Sequence, residues 1–74
     1  MMWVPASNGQ LPDGLRPVEG GYEAAGQHLF HAVAQIDGVW VPGKAGQHLF
    51  EGSAFAFGGH EVSRRDYQVL CWRE

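Results

Sequence analysis

The sequence contains a single cysteine, Cys71, and a single lysine, Lys44, among its 74 residues. One cysteine excludes an intrachain disulfide, and a lone thiol is typical of a reducing compartment. Five basic side chains against eight acidic ones give a net charge of -3. This balance argues against a nucleic-acid partner, because nucleic-acid binding requires a basic face.

Long apolar runs are also missing. None approaches the roughly 18 residues that span a bilayer, and residues 1–5 lack the charged start and apolar stretch of a signal peptide. We therefore expect a soluble protein without membrane insertion, either cytoplasmic or released by a non-classical route.

The short chain limits the hydrophobic core. A domain of this size buries only about 60% of the surface that its unfolded form exposes, so chain entropy nearly offsets burial. With 11 glycines and 4 prolines the sequence favours one small domain of short elements. Because a disulfide is excluded, we expect further stabilisation from a structural metal or a partner chain.

The apolar residues that are present alternate with a period of two. In residues 27–36 this pattern predicts a strand, and the alternative of an amphipathic helix is disfavoured by Gly26 and by the β-branched and aromatic residues that follow. Residues 53–57 and 67–72 predict further strands. Dipeptides that favour tight turns separate these segments, namely Asn8-Gly9, Asp13-Gly14, Gly20-Gly21, Asp37-Gly38, Pro42-Gly43 and Gly58-Gly59. The sequence thus predicts an all-β domain, a small antiparallel sheet or sandwich.

The hexapeptide Ala-Gly-Gln-His-Leu-Phe occurs twice, at residues 25–30 and 45–50. The simplest interpretation is a duplicated hairpin in which the Leu-Phe pairs of the two copies occupy equivalent packing positions. We expect the repeat itself to carry no function.

Nucleophilic catalysis would need a base poised beside a hydroxyl or thiol. The candidate nucleophiles are Ser7, Ser53, Ser63 and Cys71. None lies in a catalytic motif, and a thiol within an apolar strand is typically buried and inert. We therefore predict no catalytic residue and no enzyme activity.

The histidines raise the question of a zinc site. Their positions are His28, His31, His48 and His60. A spacing of three places the first two on opposite faces of a strand, so they could not share one ion without a bulge, and cysteine partners are lacking. We therefore favour surface histidines and predict neither a metal site nor a cofactor.

A neutral polar ligand suits the remaining chemistry better. Sugar hydroxyls both donate and accept, so a sugar site needs a fixed carboxylate and a fixed donor. Lys44 follows Pro42-Gly43 directly, and Glu23 ends the segment 20–23. Taken alone, however, either residue is most simply an ordinary surface charge.

More specific information comes from short motifs that follow one another in order along residues 3–72. They are Trp-Val-Pro-Ala-Ser-Asn-Gly at 3–9, Leu-Pro at 11–12, Gly-Gly-Tyr-Glu at 20–23, Leu-Phe-His-Ala at 29–32, Val-Pro-Gly-Lys at 41–44, Phe-Gly-Gly-His-Glu at 57–61 and Asp-Tyr-Gln-Val-Leu at 66–70. In this order they resemble the DM-nine (DM9) repeat family of invertebrate lectins and insect proteins. The resemblance treats residues 3–72 as one domain.

This resemblance implies an all-β fold and a lectin that binds mannose through an acidic residue and the lysine of the Pro-Gly-Lys motif. Transferred by position, these residues are Glu23 and Lys44, and such a site needs no metal. Tyr22 and Trp40, the aromatic residues nearest to the pair in sequence, could offer a flat face to a pyranose, although large aromatics are more often core residues.

Three departures from the family pattern have consequences. Family lectins carry two repeats in tandem and this chain has one, so we expect a homodimer, with or without strand swapping, that buries one or more large aromatic residues: Trp3, Trp40, Phe55 or Trp72. Glu23 is one methylene longer than the usual aspartate, and His60 replaces a usual lysine. The sequence therefore predicts weak, multivalent binding of mannose-type glycans; the alternative is a structural or protein-interaction module without sugar binding.

Overall fold

Residues 1–11 and 14–73, which the computed structural model describes, form seven strands and one 3-10 turn. The elements in chain order are β1 (Met2–Ser7), β2 (Glu19–Tyr22), β3 (His28–Ile36), β4 (Val39–Ala45), the 3-10 turn (Phe50–Gly52), β5 (Ser53–Phe57), β6 (His60–Val62) and β7 (Asp66–Cys71). The predicted all-β class is confirmed. The helical alternative for residues 27–36 is wrong, because His28–Ile36 form strand β3. No helix in this part of the chain has the length and apolarity to cross a membrane.

The strands form one antiparallel sheet in the order β1-β7-β3-β4-β5-β6, with β2 paired to β3. The long strand β3 organises the sheet. One edge of β3 pairs with the whole of β4, and its other edge is shared by β2 near residues 28–30 and by β7 near residues 32–33. Asp37 and Gly38, with φ of 50° and 79°, connect β3 to β4 in the left-handed conformation that two-residue hairpins require.

Alternation along the strands separates a core face from an outer face. The buried apolar residues are Ala32, Ala34, Ile36, Val41, Ala45, Phe55, Tyr67, Val69 and Cys71. Cross-strand partners share a face, so His31 and Gln35 of β3 lie on the outer face opposite Lys44 and Trp40 of β4. The core is small because three of its members are alanines.

Two of the predicted turns lie inside strands. Gly20-Gly21 belongs to β2, and Pro42-Gly43 belongs to β4. Proline is tolerated there because β5 pairs with β4 only over residues 43–45, so Pro42 lies where β4 has one free edge. A Cβ on Gly43 would collide with the carbonyl oxygen of Ala54 and the ring of Phe55, so this glycine is required for packing rather than for a turn. Asp13 of another predicted turn lies outside the described residues.

The two copies of the hexapeptide have different structures. Leu29 and Phe30 are half-buried in β3, whereas Phe50 lies in the 3-10 turn and is 79% exposed. The expected equivalence of the Leu-Phe packing positions is therefore wrong. The first copy continues into a strand that pairs on both edges, whereas the second copy turns back at Glu51, whose φ is 56°.

Candidate functional site

Lys44 lies on the outer face of β4, between His31 on β3 and Ala54 on β5. Its half-buried side chain crosses towards β2, where a Cβ built on Gly20 would come within 2.9 Å of Nζ and 3.3 Å of the His31 Nδ1. A side chain at residue 20 would therefore displace the ammonium. The absence of a side chain at Gly20 therefore leaves room for the ammonium beside the imidazole of His31.

No carboxylate among the residues that the structure describes forms an ion pair with Lys44. Glu23, its predicted partner, lies three residues after Gly20, at the end of β2. The Glu23 carboxylate instead approaches His48, with 3.3 Å between Oε2 and Nε2. The structure thus places the Lys44 ammonium beside Gly20 and His31, and gives Glu23, just beyond β2, a different neighbour.

The two predicted aromatic residues are both exposed. Tyr22 is 64% exposed, and its ring edge contacts His28 at a centroid distance of 4.9 Å. Trp40 is 56% exposed on the same outer face as Lys44, but the two lie four residues apart on β4, which corresponds to about 13 Å along a strand. Tyr22 is therefore close to Glu23, and Trp40 is distant from the Lys44 ammonium.

A shallow groove of about 600 Å³ runs beside Lys44 towards β6. Ala54 and Ala56 of β5 form its floor, and His60 and Glu61 of β6 form its far wall. Because Lys44 pairs with Ala54 and Glu61 with Ala56, both charged side chains lie on one face with two small residues between them. The groove therefore offers the Glu61 carboxylate beside an apolar floor, with the stem of Lys44 along its edge.

Sequence reasoning did not identify Gly20 or His31 as neighbours of the Lys44 ammonium, nor Glu61 as a carboxylate on the same face of the sheet. The alternation of β3 places His31 on the outer face, but only the register of β3 against β4 brings it opposite Lys44. Glu61 appeared in a family motif without a role. Its place on the same face as Lys44 depends on the register of β5 against both β4 and β6, which the sequence does not specify.

The other reactive side chains are engaged or isolated. Ser53 is buried and its hydroxyl donates to the carbonyl oxygen of Arg64 at 2.6 Å. Burial raises the pKa of the Cys71 thiol, which keeps the thiol protonated and unreactive at neutral pH. In residues 1–11 and 14–73, no three histidine, cysteine or acidic side chains come together in an arrangement that could bind a metal ion.

Comparison with known proteins gives one match. No curated protein and no solved structure is significantly similar to the chain. The family model of the DM9 repeat matches residues 1–53, a range that includes β1 to β4 and the residues Tyr22, Glu23, Trp40 and Lys44. The match covers well over half of the chain, and the family is one of binding domains rather than of known enzymes. The chain is therefore a member of the DM9 repeat family.

Proposed function

We propose that this DM9 domain is a carbohydrate-binding protein that recognises mannose-type sugars at Lys44 without a metal ion. The observation that carries the proposal is the place of the Lys44 ammonium, over Gly20 and beside His31, without a carboxylate partner among the described residues. Its donors are therefore available to a ligand. An ammonium held in this way can donate charge-assisted hydrogen bonds to two adjacent sugar hydroxyls.

The acceptor in this proposal is Glu23. Gly20, which lies under the ammonium, and Glu23 belong to the same short segment, so a sugar at Lys44 extends towards the Glu23 carboxylate. In its contact with His48 the Glu23 side chain is 44% exposed, so this carboxylate can exchange the imidazole for sugar hydroxyls at little cost. Tyr22 is adjacent and provides an aromatic face for the same sugar unit, whereas Trp40 reaches only a unit further along a glycan.

Titration calorimetry with methyl α-mannoside and methyl α-galactoside tests the proposal. We expect the wild type to bind the mannoside with millimolar affinity, because a shallow polar site loses much of its interaction energy to desolvation. Lys44→Ala should bind about ten- to a hundredfold more weakly, since a hydrogen bond to a charged group contributes about 1.5–3 kcal/mol. Arg73→Ala, which removes an exposed positive charge elsewhere, is the matched control and should bind normally.

The results test sugar binding by the chain and the role of each residue in it independently. Absence of binding to the wild type at millimolar sugar refutes the lectin function, and normal binding by Lys44→Ala refutes the role of Lys44. Glu23→Gln and Glu61→Gln remove one charge each at constant size. If only Glu61→Gln weakens binding, the carboxylate of the groove is the acceptor and Glu23 is not.

We also propose that two copies associate through the outer face, which would provide two or more sites and hence avidity. Trp3 and Trp40 on this face are 44% and 56% exposed, a large apolar exposure for so small a chain. A standard interface would bury about 800 Å² of the 4766 Å² surface of each copy. Phe55 does not contribute, because it is 1% exposed in the core of its own chain.

Light scattering tests the association. We expect a dimer mass for the wild type at micromolar concentration and a monomer mass for Trp40→Ser, with Trp72→Ser as a control, since Trp72 packs instead beside the guanidinium of Arg16 at 5.9 Å. A monomeric wild type would refute the dimer. A dimer that binds no sugar would favour the second candidate, a protein-interaction module of the same fold.

A further inference from the structure

The two copies of the repeated hexapeptide meet at one cleft. Gln27 and His28 from the first copy and Gln47 and His48 from the second line a cavity of about 520 Å³, which lies within the usual size range of small-molecule sites. Leu11 and Phe30, both half-buried against the core, complete the lining. The repeat therefore places a pair of chemically identical side chains on each side of an apolar base.

Each imidazole of the cleft is held by a carboxylate. Glu19 contacts the Nδ1 of His28, and Glu23 contacts the Nε2 of His48. The edge of the Tyr22 ring packs against His28 at an interplanar angle of 72°. One nitrogen of each histidine ring is thus engaged by a carboxylate. The Nε2 of His28 remains for a ligand, whereas the Nδ1 of His48 lies over Gly46.

Gly46 makes room for the second histidine. A Cβ at this position would lie 2.8 Å from the His48 Cε1, whereas a Cβ on Gly26, the equivalent residue of the first copy, would meet nothing within 4 Å. The same glycine is thus needed for packing in one copy only. The His48 ring packs over Gly46 on the side of the cleft that the second copy lines.

We propose that this cleft is a second sugar subsite that takes one neutral hexopyranose unit. No lysine or arginine is among its lining residues, so a phosphate or carboxylate ligand would lack a cation. The side-chain amides of Gln27 and Gln47 can donate to and accept from adjacent hydroxyls, and the Nε2 of His28 provides one further donor or acceptor. Leu11 and Phe30 match the C–H face of a pyranose ring. The subsite deepens the proposed carbohydrate binding but uses residues other than Lys44.

Nuclear magnetic resonance of the side-chain amides tests the proposal on the full chain. During titration with methyl α-mannoside, the NH₂ signals of Gln27 and Gln47 should shift in a saturable manner, while the signal of Gln35, exposed at the far end of β3, stays constant. Gln47→Ala should weaken this saturation about three- to tenfold, the effect of one neutral hydrogen bond. Gln35→Ala is the matched control and should leave it unchanged.

The Lys44→Ala variant separates this subsite from the Lys44 site. Saturable shifts at Gln27 and Gln47 that persist in Lys44→Ala support the cleft, even if calorimetry refutes sugar binding at Lys44. Shifts that vanish in Lys44→Ala, or that equal those of Gln35, overturn the proposal. Saturation by inorganic phosphate but not by the mannoside would also overturn it, because the ligand would then be an anion.

Discussion

Gly52, in the 3-10 turn, lies against Gly9 in the turn after β1 and against Tyr67 of β7. Replacing Gly52 tests how much these contacts contribute to stability. The backbone N–H of Gly9, in the turn after β1, donates a buried hydrogen bond to the Tyr67 hydroxyl at 2.8 Å. A Cβ on Gly52 would overlap the Gly9 nitrogen and lie 2.7 Å from the Tyr67 oxygen. Gly52→Ala must therefore push β1 and its turn away from the 3-10 turn and break this hydrogen bond.

The size of the effect follows from three terms. The φ of Gly52 is +82°, where an alanine costs about 1–2 kcal/mol. Overpacking adds about 1–3 kcal/mol, and the unpaired buried N–H adds about 1–3 kcal/mol. Gly58 provides the matched control, because its φ is +60° and a Cβ there meets nothing within 4 Å. We expect Gly52→Ala to lose about 2–6 kcal/mol more unfolding free energy than Gly58→Ala.

Urea denaturation followed by tryptophan fluorescence measures the difference, since the chain has 3 tryptophans. A domain of this size has an unfolding free energy of only about 4–11 kcal/mol, so Gly52→Ala can be largely unfolded. Tyr67→Phe keeps the argument testable in that case, because it removes only the acceptor and should cost about 1–3 kcal/mol. Equal losses of unfolding free energy in Gly52→Ala and Gly58→Ala would refute this account of the contacts among Gly9, Gly52 and Tyr67. A Tyr67→Phe variant as stable as the wild type would refute it too.

Two further predictions concern buried polar groups. Ser53→Ala should lower the unfolding free energy by about 1–3 kcal/mol, because the hydroxyl donates to the Arg64 carbonyl oxygen at 2.6 Å and accepts from the Arg64 N–H at 2.8 Å. In the same denaturation series, Ser63→Ala, at a more exposed position, should cost less than about 1 kcal/mol. Burial raises the pKa of the Tyr67 hydroxyl, against the opposing effect of the Gly9 N–H, and burial also raises the pKa of the Cys71 thiol. The contribution of both groups to stability is therefore fully present below their ordinary pKa values of 10.0 and 9.0 and is lost at higher pH. Stability should therefore fall as the pH rises from about 9 upwards, and a flat profile across this range would contradict the burial of both groups.

The strands that were predictable are those whose side chains alternate. In β3 the sequence of small and β-branched residues at 32, 34 and 36 matches the buried positions, and β5 and β7 follow the same rule. β4 was not predicted, because Pro42-Gly43 is typical of a turn. The local preference is overridden by two tertiary effects, a free strand edge beside Pro42 and the Phe55 ring against Gly43.

The candidate site was predictable only in part. Lys44 could be identified because it is the sole lysine and ends a family motif, and the structure places its ammonium beside Gly20 and His31. Its neighbours could not be identified, because the Gly20 contact depends on a bulge in β2 that shifts the register between Glu19 and Gly21. The hexapeptide shows the reverse case. The repeat was visible in the sequence, but its two copies differ in structure and share only the cleft.

The expectation that a chain with one cysteine needs a metal or a partner for stability stays a prediction, but the chain also has stabilising contacts of its own. The radius of gyration is 11.5 Å, close to the value of about 11.3 Å for a compact domain of this length. Within the described residues, hydrogen bonds between turns and strands hold the sheet together, namely that of Gly9 with Tyr67 and that of Ser53 with Arg64. Because these contacts are internal, we expect dimerisation through the outer face to add binding sites rather than to complete the core. A Trp40→Ser monomer should therefore remain folded, and its loss would appear in avidity for a multivalent glycan, not in the affinity for a single sugar.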